Sequence, residues 1–223
     1  MSYKNKEVSL LTRAKMYLGR RLMRNVNPAA FSHYTKIAFK PSHLNSCKNL
    51  PDRDTLINLL PKNAVVAEIG VNRGEFSSKI LAQCKPTKLH LVDMWSTDRY
   101  HVGIRKEVER KFGQEIEKGK IEINLGMSTE VIPTFPDSYF DWVYLDTDHL
   151  YDNTKRELDL LVPKMKAGGI IAGHDYIQGN WDGVVRYGVI EAVRECCLKH
   201  DFALIYLTHE LDIHPSFAIC KIH

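Results

Sequence analysis

The sequence predicts an α/β protein with a mostly parallel sheet of seven strands, helices on both faces and one antiparallel strand. Three observations carry this. From residue 63 onward short apolar runs alternate with helical patterns, as in chains built from β-α-β units. The last two apolar runs, 202–207 and 217–222, are separated only by THELDIHPS, too short for the crossover that parallel neighbours need, so they form an antiparallel hairpin. The composition, 44% hydrophobic and 26% charged over 223 residues, is that of a globular chain able to bury a core in one domain.

Residues 1–50 stand apart, with ten Lys+Arg against one Glu, while the remainder holds 21 against 26 acidic residues. LLTRAKMYLGRRLMRNV (10–26) reads as a basic amphipathic helix with Leu10, Leu11, Ala14, Leu18 and Leu22 roughly on one face. We therefore divide the chain into a basic helical extension (1–50) and an α/β domain (51–223), with the boundary in PSHLNSCKNLPDRD. Such an extension suits a lid, a contact in a homo-oligomer, which is expected, or peripheral contact of residues 1–50 with an anionic membrane. The aromatic and glycine patterns of common RNA-binding modules are missing, which argues against nucleic acid. No apolar run approaches the roughly 20 residues of a membrane span. The N-terminus lacks an apolar stretch followed by a small-residue cleavage site, and the five cysteines form no CxxC pair, so a reducing cytoplasm is expected.

Within the domain, AVVAEIG (64–70) is a buried strand, EFSSKILAQC (75–84) a helix and KLHLVD (88–93) a second strand. A charged helix over 101–119 leads to KIEINLG (120–126), and FDWVYLD (140–146) is the fourth strand. NTKRELDLLVPKMKAGG (153–169) is a helix with a Gly-Gly stop before GIIAGHD (169–175), and 183–200 is the last helix before the hairpin.

Ligands of open α/β sheets bind beyond the carboxyl ends of the strands, and every such end here carries a glycine or a polar group. In VVAEIGVNRGEFS a strand runs into Gly70, and Gly74 opens a helix, a turn in which backbone approaches a ligand closely. Asn72 takes the place of the middle glycine of a dinucleotide fingerprint and tolerates the left-handed region. Glu68 sits badly near phosphates but suits a cationic ligand. Asp93 ends the second strand 23 residues after Gly70, where a carboxylate can accept ribose hydroxyls. Asp146, Asp148 and His149 crowd the end of the fourth strand, and His174 and Asp175 the end of the fifth. QGNWDGV (178–184) has the composition of a substrate-facing loop, and His209, His214 and His223 lack metal spacing and read as surface.

Glu-x-Gly-x-x-x-Gly, the acid after the second strand and the Asp after the fourth resemble a class I S-adenosylmethionine-dependent methyltransferase with its Rossmann-like sheet, over roughly residues 60–223. The stretch LDTDHLYDNTKRELDLLVPKMKAGGIIAGHDY is similar to the metal-dependent sugar O-methyltransferases of macrolide and aminocoumarin biosynthesis, and more distantly to catechol O-methyltransferase. The resemblance implies S-adenosylmethionine bound by Glu68, Gly70, Asn72, Gly74, Asp93, Ser128 and Asp146. It also implies a divalent metal, magnesium or manganese, on Asp146 and Asp175. His174 stands where the relatives more often place a carboxylate; as a third ligand it favours Mn²⁺, Fe²⁺ or Zn²⁺ over Mg²⁺, and the alternative is that it stands behind the ligands or faces the substrate. Asp148 or His149 is implied as the general base, and the acceptor as a hydroxylated small molecule such as a sugar. Two other readings stay open. A nicotinamide-dependent oxidoreductase is disfavoured by the missing middle glycine and by Glu68. A non-catalytic membrane- or partner-binding module is disfavoured by the cost of unused buried carboxylates.

Overall fold

The structure, a computed structural model, describes residues 37–180, 185–210 and 214–222. In chain order the elements are β1 (Lys48–Leu50), α1 (Arg53–Leu59), β2 (Val65–Ile69), α2 (Glu75–Cys84), β3 (Lys88–Asp93), α3 (Val102–Lys111), α4 (Gly113–Glu117), β4 (Ile121–Leu125), α5 (Ser128–Val131), β5 (Phe140–Leu145), α6 (Tyr151–Leu161), β6 (Met165–Gly173), β7 (Gly179–Asn180), β8 (Val185–Arg186), α7 (Val189–His200), β9 (Phe202–Thr208) and β10 (Phe217–Lys221). The main sheet has eight strands in the order β1-β9-β10-β6-β5-β2-β3-β4, and β7 and β8 form a separate two-stranded ribbon. All pairings in the main sheet are parallel except those of β10, which is antiparallel to both β6 and β9. This is the Rossmann-like methyltransferase fold expected above, with one strand more.

The extra strand is β1, which pairs in parallel with β9 through Lys48↔Tyr206 and Leu50↔Thr208. It falls on the N-terminal side of the division at 50/51, and Ala38–His223 forms one compact unit. Residues 1–36, with the basic helix expected there, lie outside the described residues.

Side-chain alternation along the strands builds the two cores. Val66, Trp142 and Tyr144 join Leu56, Ile57, Ile80, Ile104 and Val108 of α1, α2 and α3, with Phe112 just past α3, on one face. Ala67, Ile69, Val143 and Leu145 join Leu158, Leu161, Val189, Ala192, Val193 and Cys196 of α6 and α7 on the other. A period of two sends successive residues to opposite faces, so a strand buried on both sides reads as a continuous apolar run.

Three helix boundaries differ from the sequence expectation. The helix expected over 101–119 is interrupted at Phe112, a buried residue that caps α3 before α4 begins. The one expected to run to 169 ends at Leu161 with a 3-10 turn over Val162–Lys164, and Met165 already pairs with Phe140 of β5. The last helix starts at Val189 rather than at 183, because Val185–Arg186 turn back on Gly179–Asn180. Among the described residues no helix is long and apolar enough to cross a membrane.

Candidate active site at the carboxyl edge of the sheet

The parallel strands all point one way, and backbone bonds carry the ladder past their ends. Gly70 donates to Val92, Gly126 to Asp93, Asp146 to Ile69 and His174 to Leu145, at 2.8–3.1 Å. The residues that follow the strands are thus held side by side, above a cavity of about 580 Å³. Its lining includes Glu68, Gly70, Asn72, Asp93, Ser128, Asp146 and Asp148 from the sequence-derived set, with Arg53, Phe76, Met94, Met127 and Thr147 among the rest.

Gly70 has φ +90°, and a Cβ there would lie 1.8 Å from the carbonyl oxygen of Asp146. Only glycine lets the β2 and β5 ends approach this closely. Asn72 takes φ +53°, as its residue type allows. Gly74 is not in the cavity wall; at φ +69° it makes room for the Phe112 ring, which a Cβ would meet at 2.7 Å. Asp93 holds the turn from outside. Its Oδ2 accepts the Val71 and Asn72 N–H groups at 2.9 and 3.0 Å, and its Oδ1 accepts Trp95 N–H at 3.0 Å. Trp95 itself is buried and donates its indole N–H to Asn72 O at 2.9 Å, so it braces the turn from the core.

Glu68 is fully buried and accepts a hydrogen bond from Ser77 Oγ. Burial, opposed by that hydroxyl and reinforced by nearby Asp146, pushes its pKa up to about 8. Without a cation beside it Glu68 is therefore protonated near neutral pH, and a cationic ligand would ionise it. Arg53 reaches in from α1, its guanidinium 4.6 Å over the Phe76 ring and 3.8 Å from Asp146 Oδ2.

Beyond Asp146 lies a second group of ionisable side chains. Donor atoms of Asp146, His149 and Asp175 all fall within 4.8 Å of one another. His149 Nε2 is 3.2 Å and His174 Nδ1 3.3 Å from Asp175 Oδ2, while His214 Nδ1 is 2.5 Å from Asp175 Oδ1. His149 and Asp175 both adopt the left-handed conformation, at φ +62° and +55°, uncommon for residues of this size and a frequent mark of functional positions. Burial alone would raise Asp175, but the His174 hydrogen bond and the charges of His149 and His174 outweigh it and hold the carboxyl well below its usual range. Asp146 moves the other way: desolvation raises it against the pull of His174 and His149. For His174, burial lowers the pKa and the two aspartates more than restore it, leaving it raised.

The trio differs from the sequence-derived set, in which His174 rather than His149 joined the two aspartates. His174 stands 3.7 Å from Asp146 Oδ2 as an ion-pair partner of both carboxylates. His214, read as a surface residue, bonds instead to a nearly buried Asp175. His209 lies on the outside with Nε2 3.0 Å from Asn49, and His223 is outside the described residues, as is Trp181. Asp148 is exposed at the cavity wall; its Oδ1 accepts Leu150 N–H at 3.0 Å, and its Oδ2 makes no hydrogen bond among the described residues.

Two residues at the site, Arg53 and Glu157, carried no reading from the sequence, and a third, His214, carried one only as a surface residue. Arg53 and His214 are brought in by chain folding alone. Glu157 did leave a trace: with Thr154, Leu158 and Leu161 it occupies the buried stripe of α6, where a carboxylate is out of place.

Residues 67–176 match the family described as a methyltransferase domain. The fold is similar to that of PhzM, described as a pyocyanin biosynthetic protein, with a TM-score of 0.59 and 13% identity over 76% of this chain and 54% of that one. This chain thus spans about half the length of PhzM. TrmK, a tRNA methyltransferase from B. subtilis, gives a TM-score of 0.56 with 16% identity over 78% of this chain and 67% of that one. SMU.1697c from Streptococcus mutans, provisionally described as a methyltransferase and solved in complex with SAH, gives 0.55 with 14% identity over 83% and 99%. At such identities the likeness speaks for the fold. No curated protein matches the sequence.

Proposed function

We propose that this chain is an S-adenosylmethionine-dependent methyltransferase that places the methyl group on a hydroxyl oxygen of a sugar or another polyhydroxylated small molecule, with a divalent cation at Asp146, His149 and Asp175. One observation carries the reading. Asp146 belongs both to the wall of the large cavity and to the group of possible metal ligands, so donor and acceptor would meet at that side chain.

The residues fit both ligands. Glu68 and Asp146 belong to the cavity wall, and a sulfonium or ammonium resting there would draw both into the ionised form and be held by them. The second group offers two carboxylates and an imidazole, a donor set that favours Mn²⁺, Fe²⁺ or Zn²⁺ over Mg²⁺. A cation bound there would supply Lewis acidity, making a hydroxyl easier to deprotonate near neutral pH. The chain does the rest. Asp148, with Oδ2 uncommitted at the cavity wall, would accept the hydroxyl proton as the oxygen bonds to the methyl carbon and the methyl–sulfur bond breaks, leaving S-adenosylhomocysteine. His174 and His214 hold Asp175 in place, and Gly70 and Asp93 fix the turn that aligns the donor. Arg53, Asp148 and Asn153 make this end of the cavity polar, which suits a polyhydroxylated acceptor. The acidic balance of residues 51–223 disfavours an RNA backbone as the acceptor's carrier.

The test separates the two ligands. Asp175 is outside the cavity wall, so Asp175→Ala should abolish calorimetric Mn²⁺ binding and methyl transfer while S-adenosylhomocysteine binds as in the wild type. Wild-type protein that binds no divalent ion, or a variant that still binds Mn²⁺, would remove the metal from the mechanism.

A further inference from the structure

His149 and Asp175 follow different strands, and the β7–β8 ribbon has a foot on each. On the outward side, the Ile177 N–H donates to Asp175 O at 2.7 Å, and the chain then pairs Gly179 with Arg186 and Asn180 with Val185. On the way back it passes His149. The Gly188 N–H donates to His149 O at 2.8 Å, and the Tyr187 ring lies 4.8 Å from the imidazole, tilted by 44°. Tyr187 is buried and, like Arg186 and Glu191, lies outside the cavity wall.

The returning strand is fastened by charge. Arg186 donates to Gln178 O at 2.7 Å, to Tyr187 O, and to the carboxylate of Glu191 in the first turn of α7. Glu191 is buried, and its Oε2 has no hydrogen-bond partner among the described residues. A buried ion pair is weak evidence for stability, and fixing one arrangement of the chain is its best-attested use. Here the pair ties β8 to α7 and so fixes Tyr187, which lies between them in sequence. His149 needs a support of this kind. It keeps φ +62°, a conformation that persists in such a residue only where the surroundings over-determine it. A metal-binding histidine usually has its other ring nitrogen held by a hydrogen bond. The His149 ring has Nε2 3.2 Å from Asp175 and makes no further side-chain hydrogen bond among the described residues. Packing against Tyr187 is what orients it.

We propose that Tyr187 is a positioning residue that holds the His149 imidazole beside the carboxylates of Asp146 and Asp175, and that the β7–β8 ribbon thereby sets which divalent ion the site prefers. The inference rests on the metal reading given above for these three residues. With the imidazole in place the donor set is mixed and favours Mn²⁺ over Mg²⁺; with the ring turned away two carboxylates remain, a set that suits Mg²⁺. Loss of a group that orients a ligand costs roughly tenfold to a hundredfold in metal affinity. That loss falls on Mn²⁺ and spares Mg²⁺.

The experiment is calorimetry of Mn²⁺, Mg²⁺ and S-adenosylhomocysteine on wild type, Tyr187→Ala, Tyr187→Phe, His149→Ala and the double variant of Tyr187→Ala with His149→Ala. Tyr187→Ala should bind Mn²⁺ more weakly by about tenfold or more, with its affinities for Mg²⁺ and S-adenosylhomocysteine unchanged. Tyr187→Phe, which keeps the ring, should retain the wild-type preference for Mn²⁺ over Mg²⁺. The double variant should match His149→Ala alone, because Tyr187 acts only through that imidazole. Tyr187→Leu, which fills the space without a ring, should lower the preference as well and serves if the Ala variant does not fold. An undiminished preference in the folded variants that lack the ring, or effects of Tyr187→Ala and His149→Ala that simply add, would overturn the proposal. Wild-type protein that binds no divalent ion, or His149→Ala with the wild-type Mn²⁺ affinity, would overturn the metal reading and this inference with it. A merely structural Tyr187 would weaken both ions together and leave their ratio unchanged.

Discussion

Glu68 stands one residue before the end of β2, with its carboxyl sealed beneath the turn at Gly70. Its folded pKa of about 8 lies above the ordinary value of 4.5, so between those values the folded state binds more protons than the unfolded chain. Stability then falls as pH rises through the window, and the penalty at pH 7 is roughly 3 kcal/mol. Glu68→Gln, which keeps an acceptor for Ser77, should melt higher than wild type without ligand, with a gap that widens from pH 5 to pH 8. The same variant should bind S-adenosylhomocysteine more weakly, since the ammonium loses its partner. Thermal melts across pH, with and without ligand, check both signs, and a gap independent of pH would refute the buried-acid account. The residues at the strand ends were legible because a glycine or acid closing an apolar run has few other uses. Arg53 and His214 were not legible, because no local pattern marks a side chain that becomes part of a site only when distant segments pack.

The contact between α6 and α7 depends on one atom's absence. A Cβ on Gly188, just before α7, would come within 2.3–2.5 Å of Tyr151 Cβ, Cα and N at the start of α6. The Gly188 N–H also donates to His149 O at 2.8 Å, so the contact fixes the backbone beside the proposed metal ligands. Gly188→Ala should cost about 1–3 kcal/mol through overpacking, lower the melting temperature, and weaken Mn²⁺ binding more than S-adenosylhomocysteine binding. Unchanged melting would show that the two helices slide apart freely. At this scale the sequence located most elements well, with α2 matching its expected span of 75–84. It misjudged 165–169, where Met-Lys-Ala-Gly-Gly reads as the end of a helix; the pairing of Met165 with Phe140, past a bulge, draws it into β6. A three-residue strand such as β1 is too short for alternation to show.

The whole molecule has its site and both cores within Ala38–His223. A chain beginning at Ala38 should melt in one cooperative transition and keep the wild-type affinity for S-adenosylhomocysteine. Calorimetry and size-exclusion chromatography beside the full chain would then show whether the basic extension acts on the acceptor or on subunit association. Non-cooperative melting of the shortened chain would show that the core needs the extension.

One feature of the topology bears on how the protein is made. β10 comes after every other strand in the sequence but sits between β6 and β9 in the sheet. Until the ribosome has released it, β9 and β1 have no strand through which to join the rest, and β6 presents a bare apolar edge. The nascent chain must carry a split sheet and an Asp175 without His214, whose segment 209–216 leads directly into that strand. The sheet is thus joined into one only when that inner strand inserts between β6 and β9.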